Sequence, residues 1–195
     1  MLEPACKDAI ARQVRIPQII VGALAAGPVF FLVIVIVLVQ QGFSGTTDIG
    51  PILTYLAVAF AVLAVSARLI VPNLIVARAR RGILSGTWHS PQSVYSQSQH
   101  PQPAQEDLAR FFEQTGDAGK LFYVFHTRTI VATAILESTA FFGLIVYLSE
   151  GSLVALVLAV AMIIAVAAHF PTRSGVLEWI EGQLRLLERE RQFGR

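Results

Sequence analysis

Four long apolar runs, separated by polar stretches, organise the chain. The first, Ile19 to Val39, reads IIVGALAAGPVFFLVIVIVLV. About 20 such residues cross the roughly 30 Å hydrocarbon core of a bilayer as a helix. The second begins near Pro51 and runs PILTYLAVAFAVLAVSARLIVPNLIV, interrupted by Arg68 and closed by Arg78, Arg80 and Arg81. The third begins between Lys120 and Arg128 and ends at Leu148, and the fourth is Leu153 to Phe170. The turns after the first and third runs are short, so the runs pair into two hairpins. The pattern predicts an all-α polytopic membrane protein with four transmembrane helices and amphipathic cytoplasmic helices. The first run is too long for the apolar core of about 7–15 residues in a secretory signal peptide, so it reads as a retained span.

Two polar stretches carry helical periodicity of their own. From Glu106, EDLARFFEQ places Leu108, Phe111 and Phe112 on one face, with Asp117 and Gly119 expected to end the helix. From Ser174, SGVLEWIEGQLRLLERERQ puts Val176, Leu177, Ile180, Leu184 and Leu187 on one face, with Glu181 and Arg185 at four-residue spacing. The stretch SPQSVYSQSQHPQPAQ between the hairpins is rich in Ser, Gln and Pro and predicts a flexible linker. The boundaries read as a cytoplasmic N-terminus over 1–16, a first transmembrane hairpin over 17–81 and a cytoplasmic linker with a short amphipathic helix over 82–119. A second transmembrane hairpin over 120–171 and a cytoplasmic amphipathic helix over 172–195 follow.

Composition supports this pattern. The 195 residues are 54% hydrophobic and only 14% charged, with a mean hydropathy of +0.62, against about 25% charged in ordinary soluble domains. The distribution of cations sets the orientation. The N-terminus, the central loop with its flanks and the C-terminus hold every Lys and Arg except Arg68, and the two short turns hold none. The positive-inside rule then places both termini and the central loop in the cytoplasm of a cell of inner-membrane type. Tyr55 and Tyr147 fall near the outer ends, and Trp88 and Trp179 are expected as interface anchors. A net charge of +2 gives no reason to invoke nucleic acid. A single cysteine, Cys6, excludes an intrachain disulfide and reads as a free thiol.

The small residues Gly22, Ala23, Ala26 and Gly27, and Ala57, Ala61, Ala64 and Ala67, suit close helix approach. Pro28 lies inside the first run, where its missing N–H predicts a kink. A weak internal repeat aligns Ala64-Val-Ser-Ala-Arg68 with Ala165-Val-Ala-Ala-His169, each followed by a proline, Pro72 or Pro171.

The chemistry concentrates on Glu137. It lies nine residues from Arg128, at about 13 Å of depth, and Arg68 lies ten residues from Arg78, at about 15 Å. Matching depths on sequential helices predict a buried Arg68–Glu137 pair, with Ser66, Ser138 and Thr139 supplying further hydrogen bonds. Such a pair would set helix register, whereas a lone membrane carboxylate would mark an ion or proton path.

The stretch from Glu137 to Leu148, ESTAFFGLIVYL, resembles the carboxylate-bearing helix of rotary ATP synthase c subunits, with Gly143 six positions after the acid. The resemblance implies an ion-binding role for Glu137 alone. It covers about a dozen residues, and the preceding span carries alanines and Arg68 instead of that family's glycine pattern. The whole chain resembles small bacterial four-helix membrane proteins, which brings no activity with it.

His89 and His100 lie in the linker, and His126 and His169 near the cytoplasmic ends of the third and fourth runs. Without further ligands at metal-site spacing they predict no metal site. No HExxH, GxSxG, Walker loop or CxxC occurs, so the sequence predicts neither an enzyme nor a cofactor. The expected role is a non-enzymatic interaction or accessory subunit. Its partners would be the bilayer and either a protein or a second copy, met through the cytoplasmic helix and the small-residue faces. The alternative is an ion- or proton-coupling subunit.

Overall fold

The computed structural model describes residues 2–43, 51–88 and 103–193. Seven helices and no strand occur among them: α1 (Pro4–Gln13), α2 (Arg15–Gln40), α3 (Ile52–Leu84), α4 (Pro103–Thr115), α5 (Asp117–Glu150), α6 (Leu153–Ala168) and α7 (Arg173–Phe193). The expectation of a flexible linker falls largely on residues 89–102, outside the described residues.

The N-terminal stretch, legible in the sequence only as polar and cationic, is helical. Pro4 opens α1 where its missing N–H costs nothing, and Ile10 is buried on it, with Val14 buried directly after it. The break between α4 and α5 falls at Gly116 rather than at Asp117 and Gly119. Gly116 takes φ +56° and donates its N–H to the Phe112 carbonyl, a left-handed helix end suited to glycine. The two prolines of the internal repeat behave differently. Pro72 lies inside the continuous α3, whereas Pro171 separates α6 from α7. After Pro171, Thr172 Oγ1 accepts the Gly175 N–H at 3.2 Å and starts a new helix as its cap. Pro72 is followed by Asn-Leu-Ile-Val, and the helix continues through it.

Three helical stretches are long and apolar enough to cross a membrane: α1 with α2, α3, and α5. The number rises to four if α6 and α7, joined through the bend at Pro171, count as one.

The chain divides into two compact units. The apolar unit comprises 18–72 and 129–170, and the terminal unit comprises 1–17, 73–128 and 171–195. In the apolar unit many large side chains point outward, and alanines are prominent among the buried residues. Phe30, Leu63 and Val157 are about two-thirds exposed, while Ala57, Ala61, Ala64, Ala155 and Ala159 are buried. Water would penalise that arrangement by about 25 cal/mol for each Å² of apolar surface left out. Lipid imposes no such cost and rewards close backbone approach.

Helix α5 lies at the centre of this unit. Its Phe141 meets Phe31 of α2 at 5.4 Å between ring centroids, and its Phe142 meets Phe60 of α3 at 5.6 Å. Gly143 faces α6 so closely that a Cβ would lie 3.1 Å from both the Ala155 carbonyl oxygen and the Ala159 Cβ.

The terminal unit has the opposite, water-type construction. Its core gathers Ile10 of α1 and Val14 directly after it, Ile83 of α3, Leu121 and Phe122 of α5, and Val176, Ile180 and Leu187 of α7. Helix α7 therefore buries the apolar face seen in its sequence inside the unit. Ion pairs join its outer edge to three other helices: Glu181 to Lys7 at 3.0 Å, Glu190 to Arg80 at 3.1 Å, and Arg191 to Asp117 at 2.6 Å. Exposed pairs of this kind contribute roughly 0–1 kcal/mol each, so the buried aliphatic side chains carry the stability.

Candidate functional site around Glu137

Glu137 is half-buried on α5. Its side chain is directed at α2, where Oε1 lies 3.4 Å from the position a Cβ on Gly27 would take. Phe141, one turn further along α5, flanks the same glycine. A Cβ at Gly27 would be in ordinary van der Waals contact with the carboxylate and the Phe141 ring. Pro28 follows directly, and because it has no N–H, the Leu24 carbonyl receives no helical hydrogen bond from it.

The structure does not bring Arg68 to Glu137: among the described residues no ion pair joins the two. The expectation counted depth along two helices and left rotation out. Successive residues on a helix turn by about 100°. Glu137 and Phe141 share the α5 face that meets Gly27 and Phe31 of α2, while the next positions round, Ser138 and Phe142, turn toward α3. On α3 the buried stripe runs through Thr54, Ala57, Ala61 and Ala64, and Ala57 clusters with Val146 of α5. Continued at helical spacing, that stripe reaches Arg68, so it is the turn of Glu137 toward Gly27 on α2 that leaves the two apart.

The three hydroxyl groups expected to support the pair are engaged with their own helices. Ser66 Oγ donates to the Val62 carbonyl at 2.8 Å, Ser138 Oγ to Ala134 at 2.5 Å, and Thr139 Oγ1 to Ile135 at 2.9 Å. Thr133 does the same with Thr129 at 2.7 Å. Each hydroxyl thus satisfies itself one turn back, the usual solution in an apolar surrounding.

A second carboxylate, between the third and fourth apolar runs, has a defined role. Glu150 at the end of α5 accepts the backbone N–H groups of Leu53 at 2.8 Å and Thr54 at 3.0 Å, together with the Thr54 hydroxyl at 2.5 Å. These are first-turn amides of α3, which have no partner within their own helix. Glu150 therefore caps α3 from a residue 97 positions away in sequence, and its negative charge complements the positive helix end. The signal available in the sequence was an acidic residue in a hairpin turn, without an indication of which helix start it would meet.

Trp88 and Trp179, expected as interface anchors, pack within the terminal unit. Trp88 meets Phe112 at 5.5 Å and Tyr123 at 6.3 Å. Trp179 meets Phe125 at 5.3 Å, and the Arg128 guanidinium lies 4.9 Å from its ring centroid. Cys6 is half-buried against the same core, where burial first and Glu3 second push its thiol pKa up. Among the described residues no group of three or more His, Cys, Asp or Glu side chains is arranged to hold a metal ion.

The arrangement around Glu137 can hold a proton or a small cation against an apolar helix face, and it supplies no nucleophile paired with a base. No protein-family model, curated protein or solved structure matches the chain.

Proposed function

We propose that this chain is a four-span membrane protein with both termini and the central linker in the cytoplasm. In this reading it acts without enzymatic chemistry, as an accessory subunit that presents a folded helical body to a protein partner. One observation carries the proposal: the terminal unit assembles a water-type core from three distant stretches of the chain, although the rest of the molecule is built for lipid. A chain needing only an anchor has no use for such a body. The apolar face of α7 is consumed within it, so the partner meets the outward face, where Glu178, Arg185, Glu188 and Arg189 are exposed.

Reporter fusions after residue 88 and at the C-terminus are expected to be active as cytoplasmic reporters, and fusions in the turns near residues 45 and 151 as external ones. A photo-crosslinking residue in place of Arg185 is expected to give one discrete adduct in intact cells, lost on Glu188→Lys. Absence of any adduct, together with a lone monomer in mild detergent, would reject the accessory-subunit reading.

A second reading is favoured by one feature of the site: Glu137 has no Arg68 partner in an otherwise apolar bundle. It would then be the carboxylate of an ion- or proton-coupling subunit. Reconstituted vesicles test this. Proton or cation flux above that of empty vesicles, abolished by Glu137→Gln at unchanged helicity, supports it, and wild-type flux equal to that of empty vesicles removes it.

A further inference from the structure

A groove of about 660 Å³ opens on the terminal unit, between the last turns of α3 and the start of α5. Its volume falls within the usual range of small-molecule sites. Ile75 and Val124 form an apolar part of its wall, Trp88 and Tyr123 an aromatic part, and Arg78 and Arg81 supply the charge. The two arginines are three residues apart and share one helix face. Arg80, between them in sequence, is held by Glu190 at 3.1 Å. Arg78 and Arg81 are exposed and have no ion-pair partner among the described residues. The groove also follows directly on the apolar run of α3.

We propose that this groove binds the phosphate headgroup of an anionic phospholipid. The two guanidinium groups would grip the phosphodiester, and the apolar and aromatic walls would take the glycerol and the first acyl carbons. The proposal rests on the membrane reading, because the basic end of α3 then lies at the lipid surface. Charge complementarity comes from the side chains alone. The carbonyl end of α3 opposes an anion, so the arginines must supply the attraction, and their removal is a direct test. The mixed lining favours a lipid over a soluble phosphate, which would gain nothing from Ile75 and Val124.

The experiment uses the purified full-length protein in neutral detergent, with native mass spectrometry counting bound phosphatidylglycerol or phosphatidylcholine. One phosphatidylglycerol is expected to be retained in preference to phosphatidylcholine. Arg78→Gln/Arg81→Gln is expected to weaken it by about 25-fold, roughly fivefold per arginine, with the circular dichroism melt unchanged. Arg78→Lys/Arg81→Lys should keep most of the affinity, and Arg189→Gln on the exposed face of α7 should keep all of it. Undiminished binding by the glutamine variant overturns the site. So does equal loss in Arg189→Gln, which would mean diffuse charge attraction. Displacement by millimolar inorganic phosphate as effective as displacement by lipid would reassign the groove to a soluble anion. Carbonate extraction of membranes separates the two readings. A protein that stays in the membrane yet shows no lipid preference loses the groove alone, whereas one released by carbonate that still prefers phosphatidylglycerol loses the membrane reading alone.

Discussion

At Gly143 the missing side chain allows α5 and α6 to touch. A Cβ there meets Ala155 and Ala159 at 3.1 Å, tighter than ordinary contact. The atoms met are a backbone oxygen and a Cβ, which cannot swing aside, so Gly143→Ala is expected to destabilise by about 1 kcal/mol and Gly143→Leu by about 3 kcal/mol or more, as overpacking does; thermal denaturation in detergent measures both. Arg68 and Glu137, which form no ion pair, are expected to behave independently. In a double-mutant cycle with glutamine at each position, the coupling energy should stay within about 0.3–0.5 kcal/mol, as for sites without contact, and a larger coupling would restore the ion pair.

Acid sensitivity belongs to the same scale. Burial acts to raise the Asp117 carboxyl pKa, but hydrogen bonds from Lys120 and Arg191 prevail and hold it below the usual range. The hydrogen bond from Lys7 does the same for Glu181. A carboxyl whose folded pKa is depressed adds stability that is present above its unfolded pKa of about 4 and is lost as pH falls through the folded value. Stability of the terminal unit should therefore be level above about pH 5 and decline below about pH 4. Both tryptophans lie in this unit, so denaturant titration followed by tryptophan fluorescence reports it selectively. Lys7→Met with Arg191→Met should flatten the acid limb.

Among the helices, α7 and α3 show how a segment depends on distant partners. Ile180 of α7 is fully buried, whereas Leu186 is exposed on the same helix. Ile180→Ala is expected to destabilise the terminal unit by about 2–5 kcal/mol, and Leu186→Ala by no more than about 0.5 kcal/mol. Equal effects would mean that α7 lies detached from the core. The start of α3 depends on Glu150. Glu150→Ala strands two first-turn amides and should lower the melting temperature, and Glu150→Gln, which retains one acceptor oxygen, should lower it less. Helix periodicity in α4 and α7 was legible because apolar residues recur at three and four positions. Helix α1 was harder to see because its buried face consists of only Ile10, with Val14 directly after the helix, beside alanines and Cys6, which fit any short helix or coil.

For the whole molecule, the exposure of large side chains on the apolar unit predicts behaviour in membranes. Carbonate-washed membranes are expected to retain the full chain, since large aliphatic and aromatic side chains on α2, α3 and α6 face outward. Release into the supernatant would show that some other surface covers them. The terminal unit draws on the chain's beginning, middle and end, so it cannot close until all three have been made. Removing α7 would take away Val176, Ile180 and Leu187 together, and with them much of the core.

Length and polarity of the runs were enough to identify three helices able to cross a bilayer, because a span is defined by what it contains and not by what it touches. The fourth run gives the 16-residue α6, which reaches span length only when counted with α7. The same holds for the amphipathic faces of α4 and α7, whose period is local. Rotation about each helix axis is different in kind, since it depends on which neighbour packs against it. Sequence could therefore place Arg68 and Glu137 at one depth but could not tell that Glu137 turns to Gly27 on α2. Nor could it show that Glu150 reaches the first amides of α3, or that α7 folds its apolar face against α1, α3 and α5 instead of offering it to lipid. Each of these outcomes is decided by packing between residues far apart in the chain, where close approach at glycine and alanine, and satisfaction of buried polar groups, select one rotation over the others.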